Sequence, residues 1–198
     1  MGTRNLTCVF YNGEYKVAQY GQWDGYPEGQ GATCLKFLRD KVNWVLFTKR
    51  LDLLTYIDEE LGEQLNKAFN CRNDGCGNAC KLYGRWECLF PETNRDTGAE
   101  ILELIQNDKL TTRRVVNNLD FAAQGDCEWC YIIDIDKNTF EVYQGWNEEP
   151  LTENDRFYSL GKPDKNYYPV KLVRTYSLDN LPADEQFLAD FKEEDEDE

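Results

Sequence analysis

At 198 residues, with 41% hydrophobic and 14% aromatic residues, the chain has the composition of one globular domain and not of a disordered segment. A formal charge of −15 disfavours any direct grip on a DNA or RNA backbone, and no charge-free apolar run approaches the roughly 18 residues of a membrane helix. Histidine is absent, which excludes Ser-His-Asp and Cys-His catalysis, imidazole bases and His-containing metal sites.

Residues 6–11 are β-rich, with Leu6, Cys8 and Phe10 on one face. Asn12-Gly13 then predicts a type I′ turn, whose two central residues both need positive φ. Residues 15–20 form the returning strand, with Tyr15, Val17 and Gln19 opposite Lys16, Ala18 and Tyr20. A glycine-rich loop follows over 21–31, carrying Gln22, Trp23, Asp24 and Tyr26. Residues 32–39 have helical character, 43–47 are a short apolar run of either type, and 50–57 and 58–69 read as helices. Asp58 caps the second of these, with Leu61, Leu65, Ala68 and Phe69 as its buried stripe. Residues 70–80 are polar, glycine-rich and irregular.

Asp96 or Thr97 caps a helix whose stripe is Ile101, Leu102, Leu104 and Ile105. Residues 111–121 give no clear period. A strand over 128–136 sets Trp129, Tyr131, Ile133 and Ile135 against Cys130, Ile132 and Asp134, and turns at Asp136-Lys137-Asn138 into a partner over 139–143. After a loop over 146–165 come a strand at 169–176 and a short helix opened by Pro182. Strands at both ends with helices between them predict an α+β fold, its antiparallel sheet built from the N-terminal β-hairpin and the C-terminal strands. Residues 1–192 are read as one domain with a Cys-rich insertion at 70–90, and the like-charge run 193–198 as a disordered acidic tail.

Four constellations carry chemistry. In the 21–31 loop, Trp23 and Tyr26 offer stacking faces while Gln22 and Asp24 offer hydrogen bonds, as for a planar ligand such as a nucleotide base. Gly29 and Gly31, ahead of a helix, offer amides to an anion. A packed loop whose aromatics cover the hairpin explains the same residues. Thr3 and Arg4 precede the first strand beside this loop, and Arg4 is expected to bind an anionic group or to pair with Asp24. Arg95 and Asp96 either form an ion pair and a helix cap or line the same site.

The third constellation is Cys71-x4-Cys76-x3-Cys80 with Cys88, four thiolates of a number that closes a tetrahedral zinc site, although the spacing lacks a C-x2-C pair. Cys127-x-x-Cys130 has redox spacing, but its place on a strand favours core packing. The fourth is the acidic loop Glu148, Glu149, Glu153 and Asp155, either a cation site or a solvated surface. With no basic region followed by an apolar core at the N-terminus, no export signal is expected and the cysteines read as reduced thiols in a cytoplasmic protein.

The start MGTR, followed by YGQWDGYPEGQG, resembles a widespread family of uncharacterised proteins from bacteriophages, bacteria and fungi. RDTGAEILELIQ, CEWCYIIDIDKNTFEVYQG and YYPVKLVRTYSLDNLP carry the same resemblance, so it covers most of the chain and fits least well over 70–88. It implies no assigned activity, and its phage members imply a role in infection or counter-defence in the host cytoplasm. A weaker likeness is to N-terminal-nucleophile hydrolases, which also begin with a strand, a tight turn and a second strand. There the first mature residue is Cys, Ser or Thr, whereas loss of Met1 here leaves Gly2 first and Thr3 one place late.

The leading expectation is therefore a non-enzymatic binding protein acting through the aromatic-glycine loop or its acidic surface on a protein partner. A basic or nucleic-acid-binding protein would suit that charge. A hydrolase using Thr3, Cys8 or a carboxylate, and a sponge holding a nucleotide signal at Trp23 and Tyr26, are the alternatives.

Overall fold

The computed structural model describes residues 2–68, 90–161 and 167–191. Its centre is a five-stranded sheet in the order β2-β1-β5-β6-β7. Strands β1 (Asn5–Tyr11) and β2 (Glu14–Gly21) form the predicted hairpin, with Asn12 and Gly13 both at positive φ. The second hairpin joins β5 (Trp129–Asp134) to β6 (Thr139–Gln144), and β7 (Lys171–Ser177) pairs antiparallel with β6. The α+β class is as expected, but the junction of the two halves is not antiparallel. β1 runs parallel to β5 from Asn5↔Trp129 to Phe10↔Asp134. More than a hundred residues separate the partners, so no tight turn dictates an antiparallel return, and the intervening helices serve as a crossover.

Alternation along the strands sorts two cores. Val9, Val17, Tyr131, Ile133, Phe140 and Val142 face one side, and Leu6, Cys8, Ala18, Cys130, Ile132 and Tyr143 the other. Tyr15 departs from its expected face and packs with the second group, edge to face on Phe10 at 5.1 Å. A bulge causes this: Val9 pairs with Val17 but Phe10 pairs with Tyr15, so Lys16 is skipped and the parity changes.

Helices cover the first face. A continuous helical stretch comprises a π turn (Pro27–Gly31), α1 (Ala32–Lys36) and a second π turn (Phe37–Lys41), longer than the predicted 32–39. The apolar run at 43–47 becomes the start of α2 (Trp44–Leu51), because the Asn43 carboxamide oxygen accepts the Leu46 amide at 3.1 Å. The helix expected over 50–57 does not form: Arg50 and Leu51 end α2, and β3 (Thr55–Tyr56) pairs in parallel with β4 (Arg114–Val115), a non-local bond that local pattern does not reveal. Asp58 caps α3 (Glu59–Ala68) as expected, accepting the Leu61 amide at 2.8 Å. α4 (Ile101–Gln106) and α5 (Asp184–Ala189) complete the layer, the latter placing Phe187 on Phe140 and Tyr176.

The opposite face is covered by a 3-10 turn (Leu119–Ala123) and by the segment carrying Leu151, Phe157 and Leu160. No described helix is long and apolar enough to cross a membrane.

Candidate functional site

The 21–31 loop begins where Asn5, wholly buried at the start of β1, donates its Nδ2 to the carbonyls of Gly21 and Trp23, both at 3.2 Å. Gly25 donates to the Thr3 carbonyl at 3.0 Å, so Thr3 supports the loop from beneath and is itself buried. Asp24 takes a left-handed φ of +54°, and its carbonyl accepts the Gln30 amide at 2.8 Å. That approach demands glycine at 29, where a Cβ would lie 2.1 Å from the Asp24 oxygen. Gly31 answers to packing: a Cβ there would meet the Tyr131 ring at 2.9 Å and Phe187 at 3.2 Å.

The anion site expected at Gly29 and Gly31 does not form. The helical stretch opens earlier, at Pro27, and both amides turn back on the Tyr26 carbonyl, at 3.0 and 3.4 Å. Arg4 likewise pairs with Asp126 at 3.0 Å and not with Asp24. The parallel β1–β5 junction directs this, because the Arg4 carbonyl accepts the Glu128 amide and draws the segment before β5 alongside.

The loop and the Arg95-Asp96 segment do meet. Gln22 donates its amide to the Arg95 carbonyl at 2.9 Å, and its side-chain oxygen accepts from Tyr20 at 2.7 Å. The Trp23 indole donates to Asp96 at 2.8 Å, and the Arg95 guanidinium stands 4.0 Å from the same carboxylate. Neither Asp96 nor Thr97 caps the helix that follows. A 3-10 turn at Gly98–Glu100 precedes α4, and the Ala99 amide is taken at 2.7 Å by the Gln30 side chain from across the loop. Trp23 is thus latched to the body, although 42% exposed.

Tyr26 points elsewhere. It is 47% exposed and lines an open cleft of about 730 Å³ with Glu28, Trp129, Trp146, Val173 and Phe191 among the walls. Trp129 opens β5, Val173 belongs to β7, and Trp146 follows β6. Trp146 is 52% exposed and holds a φ of +52°, a conformation that costs an L-residue with a large side chain roughly 1–2 kcal/mol. Arg174 and Asp190 complete the cleft. The guanidinium donates to the Val173 carbonyl at 3.0 Å and the Asp190 carbonyl at 3.1 Å, while the Asp190 carboxylate accepts from Tyr176 at 2.7 Å and Gln186 at 2.9 Å. Burial, with that bond to Asp190, raises the Tyr176 phenol above its ordinary range. Of the expected site residues only Tyr26 reaches this cleft.

A second polar centre joins residues that the sequence pattern leaves apart, and Asp134, which it reads as a strand-end turn residue, is one of them. Asp134 and Glu141 are buried on the second face, and Arg156 binds both, ion-paired to Asp134 and reaching Glu141 at 3.0 and 3.1 Å. Tyr143 and Thr139 donate to Glu141 at 2.6 and 3.1 Å, and Phe10 lies under the guanidinium at 5.4 Å. Burial opposes the charge on Arg156, but its bonds to Asp134, Glu141 and Tyr15 outweigh it and hold the group protonated. The cluster spends its hydrogen bonds internally and anchors the segment that carries Arg156 to β5 and β6. The usable signal was charge at inward strand positions: Asp134 shares a face with Ile132, and Glu141 alternates with Phe140 and Val142.

Cys8, Cys34, Cys127 and Cys130 are buried free thiols. Burial pushes Cys34 up to about 12 and Cys127 and Cys130 well above the ordinary thiol value, so these three remain protonated and inert at neutral pH. In the acidic loop, Glu149 pairs with Lys171, and Asp155 accepts from the Thr152 amide and hydroxyl at 2.6 and 2.8 Å. Cys71, Cys76, Cys80 and Cys88, the candidate zinc ligands, lie outside the described residues, as do the 70–90 insertion apart from Phe90 and the 193–198 tail. Comparison of the chain with protein-family models, with curated proteins and with solved structures finds no match, so the family resemblance rests on its motifs alone.

Proposed function

We propose that this is a non-enzymatic binding protein that engages a protein partner through the Tyr26–Trp146 cleft. The observation that carries the reading is the pairing of two half-exposed aromatics in one open cleft, one of them on strained backbone. Tyr and Trp supply large contact areas at small entropic cost, and such residues dominate binding energy when a partner desolvates them.

The alternatives fit less well. Thr3 is buried beneath the loop, and Cys8 is fully enclosed in the core, so neither is placed as a nucleophile. A base stacked between Trp23 and Tyr26 would need both rings in one cleft, and Trp23 is held at Asp96 outside it. The motif resemblance supplies the setting, a phage-type protein acting on host machinery in the cytoplasm. The net charge of −15 favours a basic partner, including a nucleic-acid-binding protein. The test is affinity capture from bacterial lysate with the native protein beside a Tyr26→Ala/Trp146→Ala variant of unchanged melting temperature. Proteins retained by the first and lost by the second support the reading, and identical capture by both overturns it.

A further inference from the structure

The cleft adjoins an open sheet edge. β7 ends the strand order, and among the described residues its outer backbone forms no hydrogen bond to another element. Val173 and Arg174 belong to both features, lining the cleft and lying within the edge strand. The Val173 carbonyl accepts the Arg174 side chain at 3.0 Å, a contact within the strand that an incoming amide can replace. An exposed strand beside an aromatic cleft is the arrangement by which sheets take up extended peptides, with backbone bonds supplying affinity and the cleft selecting a side chain.

Charge decides between occupants. A second copy would bring −15 against −15, whereas a basic partner meets a surface of opposite net charge. The cleft holds two carboxylates, Glu28 and Asp190, against the single cation Arg174, which donates to the Asp190 backbone carbonyl and not to its carboxylate, so one negative charge is in excess and exposed Glu28 has no ion-pair partner among the described residues. One uncompensated carboxylate beside Tyr and Trp rings suits a cationic side chain, which aromatic faces attract by about 0.5–2 kcal/mol.

We propose that β7 and the cleft together dock an extended, basic segment of the partner, which adds as a sixth strand along β7 and places a lysine or arginine in the cleft with Tyr26, Trp146 and Glu28. This rests on the cleft being a binding surface. The segment carries apolar or β-branched residues at alternate positions, because Leu172, 42% exposed, offers an apolar contact along the edge.

The test is an NMR titration of the full chain with a nine-residue Thr/Val-alternating peptide bearing a central arginine. Two companion peptides carry a central glutamate or alternate N-methylated amides. The expected result is amide shifts at 171–177 and at the Trp146 indole, slower hydrogen exchange in β7, and at least tenfold weaker binding of both companions. Glu28→Gln should weaken the arginine peptide at least threefold. Equal binding of the N-methylated peptide, or no protection of β7, overturns strand addition; equal binding of the glutamate peptide overturns the basic preference. If the arginine peptide fails while capture from lysate still depends on Tyr26 and Trp146, this proposal falls and the binding reading stands. Peptide-free dimerisation protecting β7 would assign the edge to a second copy instead and also overturn it.

Discussion

The Arg156 cluster and the Tyr26–Trp146 cleft differ in how they use polar and aromatic groups. Beneath the sheet, one guanidinium is shared between two buried carboxylates, and nearly every available bond is made within the chain. At the edge, aromatic rings stand half in solvent, a carboxylate has no ion-pair partner among the described residues, and a tryptophan sits in a conformation that its own side chain disfavours. Groups satisfied internally stabilise a fold, while groups left open retain free energy for a partner. The two regions should therefore respond oppositely to mutation.

The largest effect belongs to the cluster. Arg156→Met strands two buried carboxylates and should cost about 3–5 kcal/mol in denaturant unfolding. Adding Glu141→Gln should restore part of it. A loss below about 1 kcal/mol would mean that the pair behaves as a surface bridge and that the contrast is false. Gly31→Ala comes next, because its methyl would press on Tyr131 and Phe187; overpacking of this kind costs about 1–3 kcal/mol, read as a lowered melting temperature.

At the cleft the sign should reverse. Trp146→Gly relieves the left-handed strain and should leave stability unchanged or raise it by up to about 1 kcal/mol, while partner retention falls at least tenfold. A loss of several kcal/mol would make Trp146 a core residue. The smallest effect is at Asp155, whose carboxyl is held below its ordinary value first by the Thr152 amide and then by the Thr152 hydroxyl. A depressed folded-state pKa contributes stability above the ordinary carboxylate range that is lost as pH falls through the folded value. Asp155→Asn should slightly flatten the acid limb of the stability curve and leave neutral stability almost unchanged.

Much of the fold was legible because it is written in local periods. The Asn12-Gly13 turn, the two-sided pattern of 129–135 and the Asp58 cap each depend on neighbours a few residues away. What escaped depends on distant partners. The β3–β4 pair replaced an expected helix, and the cap of the 98–100 turn came from Gln30. Arg4 found Asp126. The cleft was legible only through Tyr26, because Trp146 falls in a stretch with no period and Trp129 reads as ordinary core. Arg156 carries no local signal at all, since its partners lie on β5 and β6.

The parallel contact between β1 and β5 also has a temporal meaning. The first hairpin can close as soon as its own residues leave the ribosome, yet β1 then waits for a partner more than a hundred residues further along. Until that partner is synthesised, one flank of β1 is a bare row of amides and carbonyls between two apolar faces, and such flanks are where nascent chains misassociate. Moving β5 to the front by circular permutation should shorten that wait and raise the yield of soluble protein at unchanged final stability.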